Sequence, residues 1–201
     1  MIIRIPEVPF ELQAEGPPGE WAYEDGVLSG RAGAGQDRFV PPGGDAVSCA
    51  SDAPRLLGTP PAGDFQLVAR VAVGFGADFD AGVLYVDGGS RDWAKLCYER
   101  SPALPTVCTV VTRDHSDDAN AFVVPGGVVW LRVSRVGSAF AFHASASGDS
   151  WTFVRTFRLR TDPATARIGF LTQSPTGPGC TVSFSHIQLH PTAPTDLRDG
   201  S

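Results

Sequence analysis

The most chemically promising stretch of the sequence runs from Trp93 to Glu99, where polar and aromatic residues alternate with apolar ones. Alternate residues of an extended strand point to the same side, so the pattern predicts one core-facing side and one polar side. The polar side holds Trp93, Lys95, Cys97 and Glu99. Glu99 is the first candidate for a catalytic acid or base, or for an acceptor of hydrogen bonds from a ligand. The alternative is a structural carboxylate paired with Lys95 or with an arginine.

Glycoside hydrolysis would need a second carboxyl group near Glu99. Retaining enzymes place the two groups about 5 to 5.5 Å apart and inverting enzymes about 6.5 to 9.5 Å apart. The stretch has no second carboxylate, and Lys95 lies roughly 13 Å along the strand at about 3.3 Å per residue. A partner such as Asp92 would have to come from a loop, so the sequence favours ligand binding over hydrolysis.

Three further candidates interrupt apolar strand patterns later in the chain. Trp130, Arg132 and His143 each fall out of phase with the apolar residues around them. Because one side of an antiparallel sheet can face water, we expect them to share a solvated face with Trp93 and Lys95. On that face, Trp93 and Trp130 are candidate platforms for a sugar ring, and Arg132 is a candidate hydrogen-bond donor like Lys95. His143 is a second candidate acid or base if the protein is an enzyme.

A metal site is the weaker interpretation of the segment from His115 to Asp118. The segment gathers an imidazole and two carboxylates, which are groups that bind divalent cations. The same groups close turns of a solvated loop onto the backbone. We expect the loop, with no metal and no cofactor.

The cysteines are spread along the chain without a C-x-x-C motif: Cys49, Cys97, Cys108 and Cys180. This spacing argues against a zinc knuckle and against a thioredoxin-type pair. We expect reduced, mostly buried thiols, as in cytosolic proteins. Cys97 and Cys108 flank a predicted hairpin and are the candidates for cross-strand neighbours.

A scaffold of strands must position these residues, because 23 glycines and 17 prolines among 201 residues are too many for long helices. Period-two alternation predicts nine clear strands, over residues 65–73, 81–86, 93–99, 107–112, 128–136, 139–144, 151–159, 167–172 and 180–189. This spacing describes a single sandwich domain over residues 1–190 and a flexible tail over residues 191–201. The aromatic residues in phase with the strands are expected in the core: Trp21, Trp151 and the phenylalanines from Phe140 to Phe157.

The charge and hydropathy of the chain exclude several classes of partner. The formal net charge is −6, so the surface lacks the basic footprint that attracts nucleic acid or anionic lipid. No apolar run approaches the roughly 20 residues that span a bilayer, and the opening residues do not read as a secretion signal. We expect a cytoplasmic protein whose partner is a small molecule or a glycan, with the oligomeric state left open.

Several short motifs occur in an order that is typical of one family. They include Asp37-Arg38-Phe39, Ala81-Gly82-Val83-Leu84-Tyr85, Asp92-Trp93-Ala94-Lys95 with Glu99, Thr109-Val110-Val111-Thr112-Arg113, Leu131-Arg132-Val133-Ser134-Arg135 and Gln173-Ser174-Pro175. From about Trp21 to Leu189 the chain therefore resembles the regulation-of-enolase-like family, also called domain-of-unknown-function family 1349. The family is similar to the concanavalin A-like lectins and glucanases. The resemblance implies an all-β, antiparallel jelly-roll β-sandwich with a curved sheet whose concave side receives a glycan.

The resemblance also adds Arg113 and Gln173 to the candidate ligand-binding residues and places Glu99 within the family pattern. We therefore expect a carbohydrate or another small polar ligand on the concave sheet. Two alternatives stay open. The first is an enzyme, either glycoside-processing or a biosynthetic cyclase or isomerase, that uses Glu99 or His143 as acid or base. The second is a protein-interaction module that uses the sheet face or an edge strand.

Overall fold

The fold is built from β-strands alone in the part of the chain that the computed structural model describes, residues 1–43, 52–102 and 104–201. Over those ranges no helix is long and apolar enough to cross a membrane. The strands are β1 (Ile2–Ile3), β2 (Leu12–Glu15), β3 (Glu20–Glu24), β4 (Val27–Gly33), β5 (Arg55–Gly58), β6 (Phe65–Gly74), β7 (Ala81–Asp87), β8 (Asp92–Arg100), β9 (Pro105–Arg113), β10 (His115–Val123), β11 (Val128–Val136), β12 (Ala139–Ser145), β13 (Thr152–Phe157), β14 (Arg167–Gln173) and β15 (Gly179–His190).

These strands form two antiparallel sheets that make a sandwich. Sheet A has eight strands in the order β1-β2-β5-β14-β7-β8-β9-β10, and sheet B has seven in the order β13-β12-β11-β6-β15-β4-β3. The protein is thus an all-β, antiparallel jelly-roll sandwich of the concanavalin A-like type, which confirms the predicted fold class.

The main hydrophobic core fills the space between the sheets, where the alternation predicted it. On β6 the buried inward residues are Phe65, Leu67, Ala69 and Val71, and on β8 they are Ala94, Leu96 and Tyr98. All nine predicted strands are present, with ends shifted by at most two residues. Local alternation is therefore a sound guide to the inward side of β6 and β8.

Strand β10 lies where a solvated loop was expected, so that prediction is wrong. The segment pairs with β9 from His115 to Val123 and closes one edge of sheet A. An edge strand pairs on one side only and commonly carries charged residues. The polar sequence of β10 hid its extended conformation for this reason. The short strands β1 to β5 were also not predicted individually.

The outer face of sheet A carries a second apolar layer, which corrects the expectation of a solvated face. Val83, Tyr85 and Leu171 point outward and pack with Phe39 and Val40, from the segment between β4 and β5. Both faces of β7 are covered, and all seven of its residues are buried. The continuous apolar run AGVLYV, from Ala81 to Val86, is the pattern expected for a strand that is buried on both faces.

The candidate residues do not share one face, so that part of the prediction is wrong. Lys95 and Glu99 lie on β8 of sheet A, whereas Trp130, Arg132 and His143 lie on β11 and β12 of sheet B. The outer faces of the two layers of a sandwich point in opposite directions. Alternation reports the side of a strand but not the sheet to which the strand belongs.

A bulge between β12 and β13 places two predicted core aromatics outside sheet B. The register shifts between Phe142 and His143, which leaves one extra residue on β13 and reverses the side-chain phase. Phe153 therefore contacts His143 with ring centroids 5.8 Å apart, and the Trp151 ring lies 4.3 Å from the guanidinium carbon of Arg132. The core prediction is wrong for these two aromatics. It is confirmed for Trp21, Phe140, Phe142 and Phe157.

The chain after β15 packs along the outer face of sheet B. Arg132 Nη2 donates to the Gly200 carbonyl at 2.7 Å, and His143 Nε2 donates to the Leu197 carbonyl at 2.8 Å. These contacts cover both side chains, so that Arg132 and His143 are buried. The flexibility expected for residues 191–201 stays a prediction.

Candidate functional site

A cavity of about 340 Å³ opens on the outer face of sheet A, beside the end of β8. This is within the usual size range of small-molecule sites, at its lower end. Its polar lining combines one cation, three carboxyl groups and two amides: Lys95, Asp37, Glu99, Asp118, Gln173 and Asn120. Its apolar lining includes two aromatic rings, Phe39 and Phe79.

A row of hydrogen bonds connects the polar side chains across the floor of the cavity. Lys95 Nζ donates to Gln173 Oε1 at 2.9 Å and lies 3.4 Å from Asp37 Oδ1. Gln173 Nε2 donates to the Phe79 carbonyl at 3.2 Å and to Glu99 Oε2 at 3.4 Å. Gln173 thus bridges Lys95 and Glu99, which the strand alone would keep apart. The row holds each head group in place.

The charges of the cavity are set by burial and by Asp37. Burial would lower the pKa of Lys95, but the Asp37 carboxylate, with Cys97 and Glu99, more than offsets this and raises that pKa. Lys95 is therefore a charged donor. Burial raises the pKa of Glu99, and the attraction of Lys95 offsets only part of that increase. A buried cation with a carboxylate and an amide as partners is a stable arrangement.

Trp93 does not face this cavity, although it lies on the same side of β8 as Lys95. Its ring is buried with 1% exposure and lies under the guanidinium carbon of Arg38, 5.4 Å from the ring centroid. Tyr85 flanks it at 5.9 Å between ring centroids. The Trp93 ring is thus part of a packed cation–π layer and offers no open face to a sugar.

Phe79 presents an aromatic ring at the cavity instead. The residue has φ of 69°, a left-handed conformation that is uncommon outside glycine, and its side chain is 38% exposed. Its amide donates to the Arg100 carbonyl at 2.8 Å, and its carbonyl accepts from Gln173 at 3.2 Å. Strained backbone of this kind clusters at ligand sites. No pattern in the sequence singled out this residue.

Three potential metal ligands lie together at the edge of the cavity. Cys97 and Cys108 are directly opposite each other on β8 and β9, which confirms that they are cross-strand neighbours. Their sulfur atoms and a carboxylate oxygen of Glu99 all lie within 4.8 Å of one another. Among the described residues, Cys180 is a third free and buried thiol. Cys49 lies outside the described residues.

The remaining candidates are distributed over the molecule. Arg113 is exposed at the end of β9, where its ladder partner is Asp92. It lies roughly 10 Å, at about 3.3 Å per residue, beyond Val110, the last residue of β9 that lines the cavity. On sheet B, burial lowers the pKa of His143 despite its hydrogen bond to Leu197. Burial also lowers the pKa of Arg132, to about 10. The structure therefore brings together Lys95, Glu99 and Gln173, and it leaves Trp93, Arg113, Trp130, Arg132 and His143 elsewhere.

Strand β10 contributes to the cavity through alternate residues. Asp118 is paired with Val110 and lines the cavity, whereas Asp117 points to the other side and forms an ion pair of 3.1 Å with Arg155. The sequence had grouped both carboxylates into one loop cluster. Asp37 and Phe39 belong to the family motif Asp37-Arg38-Phe39. Nothing in that motif indicated that they line the cavity.

Comparisons with known proteins agree with this architecture. A functionally unknown protein from Saccharomyces cerevisiae has 20% identity and a TM-score of 0.77, over 90% of this chain and 96% of that one. The GH43 protein BlXynB from Bacillus licheniformis has 11% identity and a TM-score of 0.68, over 86% of this chain and 34% of that one. A xylan beta-1,4-xylosidase from Bacillus halodurans C-125 has 11% identity and a TM-score of 0.61, over 79% of this chain and 32% of that one.

The present chain thus spans about a third of the length of these two bacterial proteins. At such identities the likeness shows the fold alone. No curated protein matches the chain. The model of a protein family of unknown function, DUF1349, matches residues 15–192. Because the match covers most of the chain, this protein belongs to the DUF1349 family.

Proposed function

We propose that the cavity on the outer face of sheet A binds a small polar ligand, and that this ligand is a carbohydrate. The observation that carries the proposal is the bonded row of Asp37, Lys95, Gln173 and Glu99 beside the exposed ring of Phe79. Sugar hydroxyls both donate and accept hydrogen bonds, and the C–H face of a sugar packs on an aromatic ring. The cavity offers both kinds of contact at once.

The balance of charge in the cavity also disfavours an anionic ligand. Asp37 already neutralises Lys95, so a strongly anionic ligand would gain little from that cation. Asp118 and Asn120, on β10, add an acceptor and an amide to the lining. A neutral polyol satisfies such a mixed set of donors and acceptors without leaving a buried charge unpaired.

Isothermal titration calorimetry of the full chain against neutral oligosaccharides tests this proposal. Xylo-oligosaccharides are the first probes, because a xylan beta-1,4-xylosidase contains a region of similar fold. We expect one site per chain. Asp118→Asn should weaken binding by about tenfold or more, since a hydrogen bond to a charged group contributes about 1.5 to 3 kcal/mol and tenfold is about 1.4 kcal/mol.

Asp117→Asn is the matched control, because Asp117 faces Arg155 rather than the cavity. The Asp117→Asn variant should bind oligosaccharides with the affinity of the wild type. The absence of heat with every oligosaccharide would contradict the proposal, and so would an equal loss of affinity in the two variants.

A hydrolase that acts on the same ligands is the second candidate function. The observation that favours it is the presence of three carboxyl groups in one cavity, Asp37, Glu99 and Asp118, where the stretch from Trp93 to Glu99 contains one. Incubation of the protein with each oligosaccharide, followed by chromatography, tests for products. Binding without product would leave the protein a binding module. Loss of product in Glu99→Gln, with binding retained, would establish the enzyme.

A further inference from the structure

The cavity edge contains a cluster that shares Glu99 with the polar row and adds two thiols. Cys97 and Glu99 are two residues apart on β8 and therefore point to the same side, and Cys108 lies opposite Cys97 on β9. The three side chains are 0%, 8% and 5% exposed, in that order. Their ligand atoms lie within 4.8 Å of one another.

Two sulfur ligands and one carboxylate oxygen form a donor set that suits zinc. Zn–S and Zn–O bonds of about 2.3 and 2.0 to 2.2 Å in a tetrahedral site place ligand atoms roughly 3.5 to 3.8 Å apart. The ligand atoms, which lie within 4.8 Å of one another, would need to move by only about 1 Å to reach that range. The sulfur ligands disfavour Mg²⁺ and Ca²⁺, which prefer oxygen. The carboxylate favours borderline Zn²⁺ over Cu⁺, which prefers soft ligands alone.

The surroundings of the cluster also suit a bound cation. Cys108 and Glu99 line the cavity, so an ion can enter from solvent and keep one position open to the cavity. Lys95 is the nearby cation, but its Nζ atom is engaged by Gln173 Oε1 at 2.9 Å and by Asp37 Oδ1 at 3.4 Å. The Lys95 charge is therefore compensated mainly by Asp37.

We propose that Cys97, Cys108 and Glu99 bind one Zn²⁺ ion, with the fourth coordination position facing the cavity. Three protein ligands and one open position are typical of zinc sites that take water or an exchangeable ligand. The proposal goes beyond carbohydrate binding and does not depend on it. No sequence motif indicates this zinc site, because the two cysteines come from different strands and make no C-x-x-C pattern.

Cobalt titration of the full chain tests the site directly. The protein is purified with a phosphine reductant, stripped with a chelator and titrated with Co²⁺ under nitrogen. We expect a thiolate-to-cobalt charge-transfer band and the visible bands of tetrahedral cobalt, which saturate at one equivalent and disappear when Zn²⁺ is added.

Single substitutions assign the ligands. Cys97→Ser and Cys108→Ser should each weaken Co²⁺ binding by at least about 100-fold, because even outer partners of metal ligands contribute about 10- to 100-fold. Cys180→Ser is the matched control. It removes a buried thiol from β15 and should leave the titration unchanged. If a serine variant fails to fold by circular dichroism, Glu99→Gln serves instead and should retain the charge-transfer band while its affinity falls.

Several results would overturn the assignment. They are a wild-type protein without a charge-transfer band, an unchanged titration in the Cys97 and Cys108 variants, and a Cys97–Cys108 disulfide found under nitrogen in place of metal uptake. Oligosaccharide binding without metal uptake would contradict the zinc site and leave the proposed function intact. Metal uptake without oligosaccharide binding would contradict the proposed function and leave the zinc site intact.

Discussion

Residues on one side of a single strand have different roles in this protein. On β8, Lys95 reaches the floor of the cavity, whereas Trp93 is sealed beneath Arg38. The two side chains share a phase along the strand and are both 1% exposed. Arg38 packs on the Trp93 ring, whereas Asp37 and Gln173 bind the Lys95 ammonium group. The role of each therefore depends on what is packed above the strand.

Trp93→Ala should destabilise the protein by about 3 to 5 kcal/mol, because it removes a large, fully buried ring and leaves a cavity. Urea denaturation followed by circular dichroism measures the loss. Trp130→Ala is the control, since Trp130 is only half-buried on sheet B. This variant should lose less free energy of unfolding than Trp93→Ala. Equal losses in the two variants would contradict the packing described for Trp93.

His143 should make stability depend on pH in the mildly acidic range. Burial, with Arg132 nearby, lowers its pKa below the ordinary value of 6.5. The folded protein therefore binds the proton more weakly than the unfolded chain does. The contribution of neutral His143 to the free energy of unfolding is fully present above pH 6.5. It is lost as the pH falls from there through the folded-state pKa.

The comparison variant is His143→Gln, whose amide can still donate to the Leu197 carbonyl. Urea denaturation at several pH values between about 7.5 and 5 should show a smaller loss of stability in this variant than in the wild type. Parallel pH profiles for the two proteins would contradict a lowered pKa of His143 in the folded protein.

At the scale of elements, the turn between β6 and β7 determines the aromatic wall of the cavity. Phe79 lies in this turn with its backbone in the left-handed region, where a side chain is sterically disfavoured. The hydrogen bonds to Arg100 and from Gln173 hold the backbone there. The turn thus keeps an exposed ring at the cavity at some cost in stability.

Phe79→Gly should leave the free energy of unfolding within about 1 kcal/mol of the wild type, because relief of strain offsets the added freedom of the unfolded chain. Phe79→Ala keeps the strain and should be no more stable than Phe79→Gly. Both variants should lose oligosaccharide affinity, while Ile2→Ala, at the far edge of sheet A, should not. Urea denaturation and calorimetry measure the two effects. An alanine variant more stable than the glycine variant would contradict the strain.

The whole molecule is a two-layer sandwich with one main core between its sheets. Far-ultraviolet circular dichroism should therefore show a β spectrum with helix content below about a tenth, well under the average for globular proteins. Thermal unfolding should be a single transition, since strands of both sheets contribute to the same core. A helix-rich spectrum would contradict the fold.

The sequence alone determined the β class, the jelly-roll resemblance, nine of the strands and the inward side of β6 and β8. These features follow from local backbone geometry, because alternation is decided within a few residues. The sequence also indicated Lys95, Glu99 and Gln173 as site residues, and the cavity includes all three. Local pattern failed where pairing is long-range or where an edge strand is polar, as at β10.

Only the tertiary structure decided which candidates meet. Gln173 lies 78 residues from Lys95 in the chain and Asp37 lies 58 residues from it, yet both contact its ammonium group. Strand order placed Trp130, Arg132 and His143 on the other sheet, and Arg38 covered the Trp93 ring. The pairing of β8 with β9 brought Cys97 to Cys108. Such contacts depend on strand order and on chain crossings, and neither is contained in the alternation of a single strand.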